Sequence, residues 1–162
     1  MRLLLVSFFT LFTLNAEVLL KEDFNSLKDW EPLLFDNINN HSTYKTNNSI
    51  LEAQSQNSAS GIKFTKTYDI KKYPVLFFKW KVKNIYKKGD ATTKEGDDYA
   101  IRIYVMFEYN PDKSSFFESI QYDFAKSIYG EYPPHSTINY IWANKNHEKN
   151  IITSAYTNRA KM

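Results

Sequence analysis

The sequence contains no cysteine and only four glycines among its 162 residues. Without cysteine the chain cannot form disulfide bonds, so the burial of side chains alone must stabilise it. Four glycines are too few for a glycine-rich loop that cradles phosphate groups. The formal net charge of +3 is small and evenly spread along the chain. It therefore gives no reason to expect nucleic acid as a partner.

The first sixteen residues have the order of a secretory signal peptide. Arg2 precedes an apolar run that extends from Leu3 to Leu14, and the small residue Ala16 follows. Signal peptides carry an apolar region of about 7–15 residues, whereas a spanning helix needs about 20. We predict cleavage after Ala16, with a periplasmic or secreted mature protein and no remaining membrane span. An uncleaved anchor is the alternative.

Alternating apolar and polar residues dominate the mature chain and predict a mainly β structure. The two strongest runs are residues 76–83 and 99–108, and the polar loop 84–98 joins them. We therefore expect these two runs to form an antiparallel pair. Further strands are predicted from shorter runs at 18–24, 42–46, 50–55, 62–68 and 138–142.

One segment has a helical period instead. Its apolar residues recur at three- and four-residue spacing and form one face of a helix: Phe117, Ile120, Phe124 and Ile128. Ser115 and Glu118 make a capping box at its start, and Gly130 ends it. One helix among at least six strands predicts an antiparallel β-sandwich (jelly-roll-like) with one covering helix near 115–129. We expect a single domain over 17–162.

Six short segments in a fixed order give the chain a family resemblance. They are Ser58–Gly61, Pro74 with 79–82, 96–105, Tyr129–Pro134, Asn139–Ala143 and Tyr156–Arg159. With them the chain resembles the bacterial domain-of-unknown-function family 3047. The resemblance implies an exported, uncharacterised protein and brings no catalytic residues. Family members continue for several strands beyond the equivalent of Met162, so we expect this chain to lack its C-terminal strands.

Four carboxylates within nine residues make the loop 84–98 a candidate metal site: Asp90, Glu95, Asp97 and Asp98. Ca²⁺ takes six to eight oxygen ligands from carboxylates and carbonyls, so a structural calcium ion is one hypothesis. The spacing does not match an EF-hand, and lysines are interleaved. The alternative is a solvated loop in which Asp98 pairs with Arg102 or a lysine. No other cofactor is predicted.

The outward face of the two strongest strands is the candidate ligand-binding surface. If these strands pair, five side chains share that face: Phe77, Lys79, Lys81, Arg102 and Tyr104. Arginine offers a planar fork for carboxylates, and aromatic rings offer faces for sugars. This combination suits an acidic saccharide. The alternative is an ordinary solvent-facing surface, or one that the helix covers.

Three classes of function fit these observations. The first is a non-enzymatic binding module for a carbohydrate or another envelope component, which only fold analogy supports. The second is a structural envelope protein. The third is a polysaccharide-active hydrolase or lyase that uses Asp97, Asp98 or Arg102. Adjacent aspartates on a strand would point to opposite faces, which disfavours the third class.

Overall fold

The computed structural model describes residues 17–35, 38–145, 149 and 151–162. The predicted signal peptide, residues 1–16, lies outside the described residues. The chain divides into two compact units, Met1–Phe77 and Phe78–Met162, and each is described by itself. In the described part of the chain, most regular elements are short strands in small, largely antiparallel sheets, and one is an α-helix. Among the described residues, no helix combines the length and the apolar character needed to cross a membrane.

The first unit contains two antiparallel sheets of two strands each. Strand β1 (Trp30–Leu33) pairs with β4 (Gly61–Phe64), and β2 (Thr43–Asn47) pairs with β3 (Ile50–Gln54). The β2–β3 turn consists of two residues, Asn48 and Ser49, both at positive φ. Two central residues at positive φ define a type I′ turn, whose twist matches that of the strands it joins.

The second unit contains a three-stranded sheet and the α-helix. Strand β5 (Arg102–Phe107) pairs antiparallel with β6 (Ser136–Ile141), and β6 pairs parallel with β7 (Ala160–Lys161). A short 3₁₀ turn, Pro111–Lys113, and helix α1 (Phe116–Tyr129) lie between β5 and β6 in the chain.

Helix α1 confirms the predicted boundaries. The Ser115 side chain accepts a hydrogen bond from the Glu118 backbone N–H, and Gly130 adopts the left-handed conformation at the other end. The prediction that the apolar face of this helix covers the sheet was wrong. The side chains of that face are 51–77% exposed: Phe117, Ile120, Phe124 and Ile128. The helix packs instead through Tyr122, its one buried residue among those described.

The prediction of a strand at 76–83 that pairs with β5 was wrong. The structure assigns no strand there, and β5 pairs with β6. Two aromatic residues of this segment that were predicted to face inward nevertheless pack against β6 and the residue that follows it. The Phe78 ring lies 5.3 Å from Tyr140, and Trp80 lies 5.6 Å from Trp142, both edge to face. Side-chain alternation therefore predicted the inward contacts of Phe78 and Trp80, but neither the exposure of Leu76 (44%) nor the lack of backbone pairing.

Other strand predictions were confirmed in part. The runs at 42–46, 50–55, 62–68, 99–108 and 138–142 became β2, β3, β4, β5 and β6. The run at 18–24 forms no strand, whereas β1 and β7 were not predicted. In β6 the predicted inward residues Ile138 and Tyr140 are 38% and 40% exposed, and Asn139 between them is buried.

Buried side chains are few and lie in the second unit. Among the described residues, four hydrophobic residues are buried: Ala91, Tyr109, Tyr122 and Ala160. Tyr109 and Tyr122 stack face to face with centroids 3.7 Å apart and planes 5° from parallel. Tyr132 approaches the Tyr109 ring edge to face at 5.1 Å. These three tyrosines form an aromatic cluster in the second unit. A β-sandwich arrangement stays a prediction.

Candidate functional site

The side chain of Arg102 is committed to neighbours within the protein. Its Nη2 contacts the Asp97 carboxylate at 2.7 Å, and its Nη1 donates to the Tyr104 hydroxyl at 2.7 Å. The guanidinium also lies 4.4 Å from the centroid of the Tyr99 ring. Arg102 and Asp97 keep only 18% and 17% of their side-chain surface exposed. The pair is therefore largely removed from water.

The groups around Arg102 have shifted proton affinities. Burial tends to lower the pKa of Arg102, but Tyr104 and Asp97 outweigh this and raise it above its ordinary value. Burial and the neighbouring Asp97 carboxylate raise the pKa of Tyr99 as well. The Tyr99 hydroxyl therefore stays protonated, and it donates to the Met162 sulfur at 3.8 Å. Arg102 therefore stays positively charged, and the carboxylate of Asp97 balances that charge.

The structure brings together only two of the five residues predicted to bind a ligand. Arg102 and Tyr104 lie on one face of β5 and are hydrogen-bonded to each other. Lys79 and Lys81 are exposed on a segment that does not pair with β5. Phe77 is 80% exposed and belongs to the first unit. The backbone pairing that would join these residues into one surface is not present.

Two of the four carboxylates predicted to bind metal are paired with cations. Asp97 contacts Arg102, and Asp90 contacts the Lys145 ammonium at 2.7 Å. The hydrogen bonds from Lys145 and Thr92 hold the pKa of Asp90 well below its ordinary value. Across the part of the chain that the structure describes, no three histidine, aspartate or glutamate side chains are grouped to hold a metal ion. The calcium hypothesis therefore gains no support from the geometry.

Glu118 anchors a second polar cluster beside the stacked tyrosines. Its Oε1 lies 2.9 Å from Arg159 Nη2 and 3.5 Å from His135 Nε2. Arg159 Nη1 donates to the Tyr122 hydroxyl at 2.7 Å. These contacts tie helix α1 to the segment that leads into β7. Glu118, Arg159 and the Tyr122 hydroxyl thus find their partners within the protein, so the cluster fits a structural role.

The first unit contains a pocket of about 400 Å³. Ligand pockets commonly enclose about 300–1,000 Å³, so this volume is enough for a small ring. Residues from both two-stranded sheets and from the segments next to them line the pocket: Leu27, Trp30, Pro32, Leu34, His41, Ser42, Tyr44, Ser60, Gly61 and Ile62. We call this cavity the Trp30 pocket.

Trp30 is held in a fixed orientation at the wall of the pocket. Its indole N–H donates to Glu22 Oε2 at 2.9 Å, and Glu22 Oε1 accepts from the backbone N–H of Phe24 at 2.6 Å. The Phe24 and Phe64 rings lie 5.9 and 5.3 Å from the Trp30 ring. A side chain restrained in this way loses little conformational entropy when a ligand stacks on it.

Serine and tyrosine hydroxyls join the two sheets at the pocket. Ser60 Oγ accepts from the Ser42 backbone N–H at 3.0 Å, and the Tyr44 hydroxyl donates to the Ser60 carbonyl. Burial raises the pKa of Tyr44 above its ordinary value, so this hydroxyl stays a donor. Within the described residues, His41 is exposed and has no hydrogen-bond partner. Its ring therefore offers one donor and one acceptor to a ligand.

Sequence reasoning did not find the Trp30 pocket. Ser60, which lines the pocket, directly precedes β4, because that strand begins at Gly61. The strand that carries Trp30 has the sequence Trp-Glu-Pro-Leu, in which proline weakens the strand signal. Trp30 and its hydrogen-bond partner Glu22 are eight positions apart and form no sequence motif, so the sequence carried no specific signal for the pocket.

The fold and the pocket together define a small β-rich protein with one capped helix and an aromatic, hydroxyl-lined cavity. Residues 28–162 match a family described as a protein of unknown function (DUF3047). The match covers most of the chain, so the protein belongs to this family. No curated protein and no solved structure matches the chain.

Proposed function

We propose that the protein is a non-enzymatic binding module for a carbohydrate or another envelope component, and that it acts outside the cytoplasm. The observation that carries the proposal is the Trp30 pocket. An orientated indole ring beside hydroxyl groups and a free imidazole is a combination that suits a sugar, because sugars present an apolar C–H face and a polar edge.

The arrangement of the pocket supports binding rather than catalysis. Hydrolysis of a glycosidic bond generally needs two carboxyl groups that flank the bond. Among the described residues that line the pocket, none carries a carboxyl group. The nearby Glu22 carboxylate is engaged by Trp30 and Phe24.

The proposed location rests on residues 1–16. Their charged start, apolar run and small final residue are those of a signal peptide. We propose that the protein is exported and that its mature form begins at Glu17. Mass spectrometry of the native protein from the periplasmic or culture fraction checks this. Recovery of a chain that begins at Met1 in the inner membrane would show that the segment is an anchor.

To test the binding proposal, the affinity of the exported chain for purified envelope polysaccharides is measured by gel shift or by calorimetry. We expect Trp30→Ala to weaken binding by about tenfold or more, as truncation of a central aromatic contact commonly does. Glu31→Gln is the matched control, because Glu31 follows Trp30 in β1 and points to the opposite face. Equal binding by Trp30→Ala and the unaltered chain would contradict the proposal.

A further inference from the structure

Charged side chains are segregated from the Trp30 pocket by strand alternation. In the β1–β4 ladder, Glu31 lies opposite Lys63, and the two form an ion pair at 2.9 Å. Trp30 and Pro32 flank Glu31 in β1 and therefore lie on the other face, which lines the pocket.

The second sheet repeats this arrangement. Lys45 and Glu52 are directly opposite each other in the β2–β3 ladder. Tyr44, which lines the pocket, precedes Lys45 and so points to the other face. Both sheets thus direct their charged pairs away from the cavity. Among the described lining residues there is no lysine, arginine, aspartate or glutamate.

We propose that the Trp30 pocket selects neutral sugar rings and discriminates against acidic ones. This inference rests on the proposed function and names the class of ligand. A uronate or sulfate group in the pocket would lose water without gaining a cationic partner, which is unfavourable. The Glu22 carboxylate, which accepts the hydrogen bond of the Trp30 indole, would also repel it. A neutral ring meets neither cost and stacks its C–H face on the indole.

The hydrogen-bonding groups of the pocket agree with a neutral, hydroxyl-rich ligand. The Ser60 hydroxyl donates to the Ser42 carbonyl at 3.3 Å and accepts from the Ser42 N–H at 3.0 Å. A hydroxyl oxygen has two lone pairs, so Ser60 can accept one further bond from a ligand hydroxyl. His41 supplies a donor and an acceptor close by. Sugar hydroxyls both donate and accept, whereas a carboxylate only accepts.

The test compares matched pairs of oligosaccharides by isothermal titration calorimetry. Each pair consists of a neutral oligosaccharide and the same oligosaccharide oxidised to carry uronate groups, over a panel of linkages. We expect at least one neutral member to bind and its oxidised partner to bind about tenfold or more weakly.

Variants of the exported chain separate the contributions that individual side chains make to the affinity for the neutral oligosaccharide. His41→Ala should weaken binding of the neutral member without changing the fold, because His41 is exposed and makes no hydrogen bond within the described structure. Trp30→Phe should keep part of the affinity, and Glu31→Gln should keep all of it. Circular dichroism of each variant establishes that it is folded.

The outcomes distinguish the two proposals. Equal or tighter binding of the oxidised members, reduced by Trp30→Phe, would overturn the selectivity and leave the binding function in place. Binding of no member of any pair would overturn the binding function and the selectivity with it. Selective binding that neither His41→Ala nor Trp30→Phe changes would move the site away from this pocket.

Discussion

Arg102 shows how one residue of the second unit is fixed by several weak and strong contacts at once. It meets a carboxylate, a hydroxyl and an aromatic face, all from residues within five positions of it in the chain. Because the Arg102–Asp97 pair is mostly buried, loss of either partner leaves a charge without compensation.

We expect Arg102→Ala to lower the free energy of unfolding by about 3 kcal/mol, since it leaves Asp97 unpaired and largely buried. Urea denaturation followed by circular dichroism measures the change. Lys79→Ala removes an exposed cation instead and should stay within about 0.5 kcal/mol of the unaltered chain. Adding Asp97→Asn to Arg102→Ala should restore part of the loss. An Arg102→Ala chain as stable as Lys79→Ala would show that the ion pair contributes nothing.

Asn139 presents the opposite situation, a buried polar group without a partner. It is 5% exposed at the centre of β6, and within the described structure its Oδ1 accepts no hydrogen bond. An unsatisfied buried acceptor costs about 1–3 kcal/mol, and an apolar group of the same size avoids that cost.

We therefore expect Asn139→Leu, which keeps the number and branching of the side-chain heavy atoms but removes the polar ones, to raise the free energy of unfolding by about 1 kcal/mol. Asn139→Asp, which places a charge at the same position, should lower it. Thermal unfolding of the two variants checks both signs. A loss of stability in Asn139→Leu would indicate that the amide has a partner, such as a bound water molecule.

At the scale of elements, helix α1 has well-formed caps at both ends, whereas most of its apolar side chains are not packed. Ser115 caps the first turn, Gly130 closes the last, and the apolar stripe between them remains exposed. The hydrogen bonds at its two ends therefore stabilise this helix in addition to the packing of Tyr122.

Ser115→Ala should lower the free energy of unfolding by about 1 kcal/mol, because the Glu118 N–H loses its acceptor. Ser119→Ala is the matched control in the same helix. The Ser119 hydroxyl donates back to the Phe116 carbonyl, and alanine has the higher helix propensity, so this change should be neutral or slightly stabilising. Chemical denaturation compares the two. Equal effects would mean that the cap contributes no more than an interior serine.

The loop 84–98 is ordered by its own contacts and by the segment that follows β6. The backbone N–H of Asp90 donates to the Gly96 carbonyl at 2.6 Å, and a Cβ at Gly96 would come within 2.7 Å of the Asp90 nitrogen. Asn144 donates to the Tyr86 carbonyl at 2.6 Å, and Lys145 pairs with Asp90. Glycine is required at position 96 because the backbone passes so close.

The Asp90–Lys145 pair predicts an acid-dependent contribution to stability. The folded chain holds the pKa of Asp90 below its ordinary value of 3.8, so the carboxylate favours the folded state above pH 3.8. This contribution is lost as the pH falls from that value toward the lower pKa of the folded state. In Lys145→Ala the pKa should return toward 3.8, which carboxyl-detected NMR titration measures. Lys88→Ala, an exposed lysine of the same loop, should leave the Asp90 titration unchanged.

Local signals made some elements predictable and left others out of reach. The ends of α1 could be predicted because capping depends on residues that are adjacent in the chain, here Ser115 and Gly130. The segment 76–83 was misassigned because alternation reports which side chains face inward, not whether a partner strand is aligned for hydrogen bonding. The Trp30 pocket could not be predicted because it joins two sheets whose relative placement depends on distant contacts, such as that between Tyr44 and Ser60.

At the scale of the whole molecule, the two units differ in how much they bury. Across the described ranges, the buried residues all lie in the second unit: Gly89, Ala91, Gly96, Tyr109, Tyr122, Asn139 and Ala160. Among the described residues of the first unit, none is buried. Local opening is easiest where few apolar contacts are lost, so we expect the first unit to open more often than the second.

Native-state hydrogen exchange tests this difference on comparable amides. Those of the β2–β3 ladder and those of the β5–β6 ladder are both held by antiparallel pairing, so a difference reflects the stability of each unit rather than hydrogen bonding itself. We expect faster exchange in β2 and β3. A neutral oligosaccharide that occupies the Trp30 pocket should slow exchange there and leave β5 and β6 unchanged, since binding stabilises only the state that holds the ligand. Equal protection of both ladders without ligand would contradict the difference in burial, and slowing confined to β5 and β6 would place the ligand in the second unit.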